Sequence, residues 1–337
     1  MRHTIGAWLT RWETLLAVAV LLLLAVANGS TPGFSDGLNV ASAISVMSEK
    51  ALMILPLTLL IIAREIDISV ASIAALSAVG AGMALRDGQP VVVAVLVALA
   101  IGALCGAFNG FCVAVLGLPS LVVTLGTLAL FRGLCYVLLG GNPVTAIPTS
   151  LIQFGNDNIP STYVPLDIVP SLVLAPVFGV LLHRLPTGRR IFALGGNPDT
   201  ARYSGIRNHR LQFGMFVASG VVSAIAGIIS IGRTSQASPD GLLGYELDAI
   251  TIVFLGGVSF LGGKGRISGV LWALVLLTAL RNALQLHNVS AYAQGTAVGV
   301  LLIGSLLASN LARQVGSSMA ARRRRERASA GRQPATT

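Results

Sequence analysis

No charged residue occurs between Gly88 and Phe131, and long uncharged runs broken by short polar ones repeat along the whole chain. Only 11% of the 337 residues are charged and 54% are hydrophobic, at a mean hydropathy of +0.80. Soluble domains carry roughly 25% charged residues, so this chain lacks the polar surface to cover a water-facing globule. A bilayer core asks for about 20 mostly apolar residues per helix. Apolar segments fall near 13–29, 42–63, 69–85, 90–116, 120–140, 166–183, 211–232, 248–262, 267–286 and 292–310. The expected fold is all-α: a polytopic membrane protein of about ten transmembrane helices, occupying residues 1–311 with no room for a large soluble domain. The third segment is rich in Ala and Ser, and the eighth is short and Gly-rich. Both are expected to be broken or partly inserted, which is tolerated only where protein or a cavity covers the backbone.

The formal charge of +10 comes from 21 Arg and two Lys, Lys50 and Lys264, set against 13 acids. Six arginines lie between His183 and Arg210 and seven lie from Arg313 onward, whereas Gly133 to Leu182 holds no Lys or Arg. Arginine gathered on particular loops is the positive-inside pattern. It places both termini and the loop 183–210 in the cytoplasm, with six spans before that loop and four after it. The tail 312–337, with its run Arg322–Arg325, is expected to be disordered and to touch anionic lipid. No basic segment is interleaved with aromatics for base stacking, so nucleic acid is excluded as a partner. Cys105, Cys112 and Cys135 sit in apolar stretches without a metal-ligand pattern and are expected to be buried thiols. Leu15–Ala27 resembles a signal-peptide core; a retained first helix is favoured because an even number of spans keeps both ends inside.

Two local patterns go further. Gly102, Gly106 and Gly110 recur every four residues, with Ala98 one step earlier, giving the fourth span a smooth face against which another backbone can close. In the basic loop, Asn197 can cap free amides, Pro198 suits the first helical position, Asp199 favours the positive end of the dipole, and Gly205 supplies a left-handed stop. A stiff two-turn helix flanked by Arg is expected to lie along the membrane surface as a docking element. The plainer alternative is a loop that merely turns the chain around.

The string Gly195-Gly196-Asn197-Pro198, Ala201-Arg202, Ser204-Gly205-Ile206 closely resembles the coupling-loop signature of ribose-type permeases of the ATP-binding-cassette superfamily. Further blocks follow in that family's order: Glu65–Ser72, Pro119–Thr127 with Arg132-Gly133-Leu134, and Asp248–Gly257 with Gly262–Gly265. They span roughly residues 40 to 310. The departures are Arg64-Glu65, where two glycines are usual, and Ala71 in place of a glycine. The resemblance implies a type II-like importer permease of the bacterial inner membrane that works as a pair, with an identical copy or a paralogue. It also implies cytoplasmic ATPase subunits, a periplasmic sugar-binding protein and a monosaccharide cargo such as ribose or rhamnose. On that reading Gly195, Gly196, Asn197, Pro198, Asp199, Ala201, Arg202, Ser204 and Gly205 couple to the ATPase.

Polar residues inside spans are candidates for the translocation path because burying them is costly. They are Asp67, Ser69, Asn109, Thr124, Thr127 and Asn282, with Gln294 beside them. Asp67 and Ser69 equally suit a cap that holds a re-entrant bend. Glu49 and Lys50 mark a helix break or pair with neighbours, and Arg132 snorkels, pairs internally or gates. No Gly-x-x-x-x-Gly-Lys-Ser/Thr phosphate loop is present, so ATP and Mg are expected on the partner ATPase, with no cofactor or metal on this chain. His3, His183, His209 and His287 are too scattered to suggest a metal or catalytic cluster. The rival class, an ion-driven secondary transporter, calls for midplane carboxylates and an inverted repeat, whereas Asp67 and Glu246 fall near the expected span ends. Within the importer class, a nucleoside, a furanosyl signal molecule or an amino acid are alternative cargoes.

Overall fold

The structure, a computed structural model, describes residues 12–304 and Leu307. The Arg-rich tail 312–337 lies outside them. The helices are α1 (Trp12–Ser30), α2 (Gly37–Ile62), α3 (Val70–Arg86), α4 (Val91–Gly110, prolonged by a π turn at Phe111–Val115), α5 (Ser120–Leu139), α6 (Thr149–Asn156), α7 (Val169–His183, entered through a 3-10 turn at Leu166–Ile168), α8 (Pro186–Gly196), α9 (Pro198–Tyr203), α10 (Asn208–Thr234), α11 (Tyr245–Leu255), α12 (Ile267–Leu286) and α13 (Ala291–Gly304). Among the described residues, β-structure is limited to two isolated bridges.

Seven of the ten expected spans are helices long and apolar enough to cross a membrane. α3 and α13 are shorter apolar helices. α11, the core of the eighth span, has 11 residues and so is about 16 Å long, half of a bilayer core of about 30 Å. Its chain continues as irregular backbone through Gly256–Arg266. The eighth segment thus stops partway and gives way to irregular backbone at 256–266, whereas the third is one unbroken helix, Val70–Arg86, with the non-helical backbone at 63–69 before it.

α2 is buried on every side from Ser48 to Ile62, as a helix that is apolar all round should be. α10 packs beside it, and α3 and α11 complete the centre. α4 and α5 expose long apolar faces at the periphery. The glycine ridge of α4 meets α10: a Cβ on Gly106 would lie 3.0 Å from Val217 Cα, one on Gly110 would lie 3.1 Å from the Phe213 ring, and one on Gly102 would strike the Gly220 carbonyl. Small residues that let two backbones touch supply the van der Waals contact that drives helix association in lipid.

The bundle has two distinct ends. At one, Trp12 Nε1 donates to Leu255 O over 2.7 Å and Arg266 pairs with Glu13 at 3.3 Å, close to α8 and α9. At the other, Thr31 meets His287 at 3.0 Å, and Arg132 donates to Pro239 O (2.6 Å) and Gly241 O (2.8 Å). Arg132 thus braces an end loop. Cys105 and Cys135 are buried as expected. Cys112, on the π turn, is only half-buried, which corrects the expectation for that thiol because the end of α4 faces outward.

Candidate functional site

The basic loop folds as its residues dictate. Asn197 Oδ1 accepts from the amides of Asp199 (3.0 Å) and Thr200 (3.1 Å), and Asn208 Nδ2 ties back to Pro198 O at 3.0 Å. At the far end Gly205 takes φ +80, Ile206 N donates to Ala201 O (3.1 Å) and Gly205 N donates to Arg202 O (3.0 Å). This is the paired closure of a Schellman motif. The preceding helix α8, which the sequence reading missed, ends at Gly195-Gly196. Of the expected docking residues, Ala201 is buried, and Gly195 is sealed beneath the Ile62 carbonyl. Both seat the loop and present nothing outward. Asn197, Asp199, Arg202, Ser204 and Gly205 are exposed, and Pro198 is half-buried. Tyr203, not singled out from sequence, is 92% exposed at the tip.

Beneath this surface, three chain breaks are pinned by Arg64. Its φ of +71 is a left-handed conformation that costs a residue with a Cβ roughly 1–2 kcal/mol. Nε donates to Gly195 O (2.7 Å) and Leu261 O (2.9 Å), and Nη2 donates to Gly196 O (2.8 Å). The end of α2, the end of α8 and the Gly-rich loop after α11 are thereby joined, with Gly263 N also donating to Ile62 O at 2.8 Å. Arg64→Gly is expected to relieve the backbone while losing these bonds; Arg64→Ala loses them and keeps the strain. Ala should therefore lower the unfolding midpoint further than Gly, by the equivalent of about 1 kcal/mol. Equal midpoints would refute this account of the strained arginine.

Most of the expected translocation-path residues gather at the bend 63–69. Asp67 is fully buried. Its Oδ1 accepts from Ser69 N (3.0 Å) and Ser69 Oγ (2.6 Å), and its Oδ2 accepts from Ser219 Oγ (2.9 Å). Asn109 Nδ2 donates to Ser69 Oγ at 2.8 Å. Ile66 N donates to Ser120 Oγ (3.1 Å), and Thr124 Oγ1 donates to Ile66 O (3.1 Å) and Ser120 O (2.8 Å). Thr127 lies against the Thr124 carbonyl at 3.4 Å. These groups bond one another and the exposed backbone of the bend, which is what a re-entrant segment inside a bundle needs; Asn109 Oδ1 alone among them is buried without a partner among the described residues.

Asn282 lies elsewhere. It exchanges two 2.9 Å amide hydrogen bonds with Asn39 across α2 and α12, at the rim of a cavity of about 230 Å³ that also meets Gln294. The floor of this cavity is charged. Lys50 Nζ lies 2.9 Å from Asp248 Oδ2 and 4.6 Å above the Tyr245 ring, and Arg281 pairs with the other Asp248 oxygen. Next to it Arg233 grips Glu49 with two bonds of 3.0 and 3.2 Å, a bidentate fork. Asp167, also fully buried, faces Glu49 and Arg233. Lys50 and Arg281 thus share Asp248 and Arg233 holds Glu49, while both Asp167 oxygens are buried without a hydrogen-bond partner among the described residues. Arg233 and Arg281 were not singled out from sequence, and Asp248 only as the start of a block of family resemblance, although their place in or beside apolar runs was a usable signal. Asp67, just before α3, and Glu246, in the first turn of α11, both fall at helix ends; Asp67, Glu49 and Asp248 are also buried inside the bundle. They are paired or hydrogen-bonded in place.

Helices long and apolar enough to cross a membrane, interrupted by covered irregular backbone and with a capped helix at one end, define a polytopic membrane protein. The family of branched-chain amino acid transport system permease components matches residues 39–307. The ribose import permease protein of Escherichia coli K12 is 36% identical over 314 residues, covering 92% of this chain and 96% of that protein. The D-allose transport system permease protein of the same strain is 34% identical over 252 residues (74% and 77%). The autoinducer 2 import system permease protein of Enterobacter sp. 638 is 33% identical over 302 residues (88% and 86%). No solved structure matches the chain significantly. The chain belongs to this family, as a ribose-type permease subunit of an ATP-binding-cassette importer.

Proposed function

We propose that this permease carries a monosaccharide across the bacterial inner membrane, with both termini on the cytoplasmic side. ATP is hydrolysed by separate ATPase subunits that dock on α9, and the sugar is delivered to the opposite end by a binding protein. A second permease copy or paralogue completes the pathway. The observation that carries the cargo assignment is near full-length similarity to a ribose permease, with an allose permease among the other relatives. The similarity to an autoinducer 2 permease favours a furanosyl signal molecule as the second reading. The docking assignment is supported by a capped helix whose exposed aromatic side chain is Tyr203. An aromatic at the centre of an interface commonly contributes about 2 kcal/mol or more.

The test is reconstitution of this chain with its ATPase and binding protein in liposomes, with monosaccharides added one at a time. Binding-protein-dependent ATP hydrolysis stimulated by one sugar is the expected result; stimulation only by a furanosyl signal molecule would move the cargo to that class. Tyr203→Ala is expected to weaken ATPase docking roughly thirty-fold, as about 2 kcal/mol implies. Wild-type docking in that variant would remove α9 as the coupling element.

A further inference from the structure

We infer that, whatever the cargo, the basic cleft between α8, the end of α9 and the start of α10 holds the phosphate of an anionic phospholipid, whose acyl chain lies along one face of α10.

The cleft measures about 580 Å³, and its lining includes Arg190, Arg207 and Arg210 together with Ile206 and Leu211. No acid is among the lining residues; Asp199, the one acid of the loop 183–210, stands elsewhere. Other arginines of the fold are engaged: Arg233, Arg266 and Arg281 hold carboxylates, and Arg64 and Arg132 hold backbone carbonyls. Among the described residues, none of the three cleft guanidiniums has an ion-pair or hydrogen-bond partner. Guanidinium forks that share one concavity with no carboxylate match the oxygens of a phosphate.

The cleft continues into an apolar strip. Residues 207, 210, 214, 218 and 221 recur at helical spacing on one face of α10. The opposite face, with Phe216, Ser219, Gly220 and Ser223, is buried in the bundle. Gly214 is exposed and Ala218 and Val221 are half-buried, and a Cβ on Gly214 would meet nothing within 4 Å. From Arg210 to Val221 the helix rises about 16 Å, the depth of one leaflet in a bilayer core of about 30 Å. Since α10 is long and apolar enough to cross the membrane, its leading arginines stand at headgroup level and the strip at hydrocarbon depth. A protein partner in the water can meet the arginines but not the strip, so the occupant that fills both is amphipathic. A zwitterionic lipid would bring a quaternary ammonium beside three guanidiniums, and like charges repel. An anionic headgroup brings only the charge the cleft lacks.

The full-length permease, purified in a nonionic detergent, is titrated with phosphatidylglycerol carrying a fluorescent acyl chain, and anisotropy reads binding. Saturable binding is expected. Unlabelled phosphatidylglycerol should displace the probe, and phosphatidylcholine or sn-glycerol 3-phosphate, the latter charged but without chains, should do so at least tenfold less well. Arg207→Gln with Arg210→Gln is expected to weaken binding about thirtyfold, roughly fivefold per arginine. Arg190→Gln alone, which leaves the start of α10 intact should the double variant fail to insert, should weaken it about fivefold. Replacing Arg322 to Arg325 by Gln should leave the affinity within twofold of wild type. Equal displacement by sn-glycerol 3-phosphate would make the cleft a free-anion site, and equal displacement by phosphatidylcholine would remove its charge selectivity. Loss of binding in the tail variant alone would move the lipid to the tail. Cleft variants that bind lipid normally but no longer dock the ATPase would give the arginines to that subunit. Each of these four results would overturn the lipid site.

Discussion

Asp248→Asn is expected to destabilise the permease by about 3–5 kcal/mol, the range for breaking a buried ion pair by removing one partner. Asp248 and Lys50 side chains are each 4% exposed, and an amide cannot hold both Lys50 and Arg281. Two cations would then remain in the bundle with no carboxylate of their own. Lys50→Met should cost much less, because Arg281 still satisfies Asp248. In the double variant the losses should fall short of their sum by 1 kcal/mol or more, as expected for residues of one network. The measurement is the thermal unfolding midpoint of the detergent-purified permease for wild type, both single variants and the double. Additive losses would show that the residues do not act as a unit, and the sharing of Asp248 by Lys50 and Arg281 would have to be abandoned.

Gly106→Leu is expected to abolish stable packing of α4 on α10. A Cβ there already meets backbone, with Val217 Cα 3.0 Å away and Phe216 C at 3.1 Å, and backbone cannot change rotamer to make room. Overpacking a core usually costs about 1–3 kcal/mol; a leucine between touching backbones forces the helices apart and adds the loss of their contact to that figure. Gly126→Leu, on the face of α5 where a Cβ meets nothing within 4 Å, should be neutral or slightly stabilising, since leucine is the better helix former by roughly 0.5–1 kcal/mol. Yield of folded protein from membranes distinguishes the two. Similar yields would mean that the α4–α10 contact does not hold the bundle together.

These contrasts also separate what was legible along the chain from what was not. The apolar lengths, the short eighth span, the glycine ridge and the capped helix at Asn197–Gly205 were all readable, because each rests on interactions within a few residues: helix length against bilayer thickness, capping, and the conformational freedom of glycine. The partner of the glycine ridge was not readable, since Gly102 and Gly220 meet only because α4 and α10 lie side by side. Arg64 looked like a mere departure from a family pattern, whereas its guanidinium reaches three carbonyls on two other segments.

The candidate site divides in the same way. Asp67, Ser69, Asn109 and Thr124 were singled out as candidates for the translocation path, and the fold gathers them around the bend 63–69. Asn282 was chosen on the same grounds, yet it stands at the rim of a different cavity. The sequence alone determined that this chain must cross a bilayer many times as helices, since its long apolar runs match the bilayer core and a helix pairs every backbone group within its own segment. Which buried charges neutralise one another was decided only by tertiary structure. Glu49 and Arg233, or Lys50 and Asp248, stand nearly two hundred residues apart, and Coulomb attraction depends on distance in space, which local sequence does not encode.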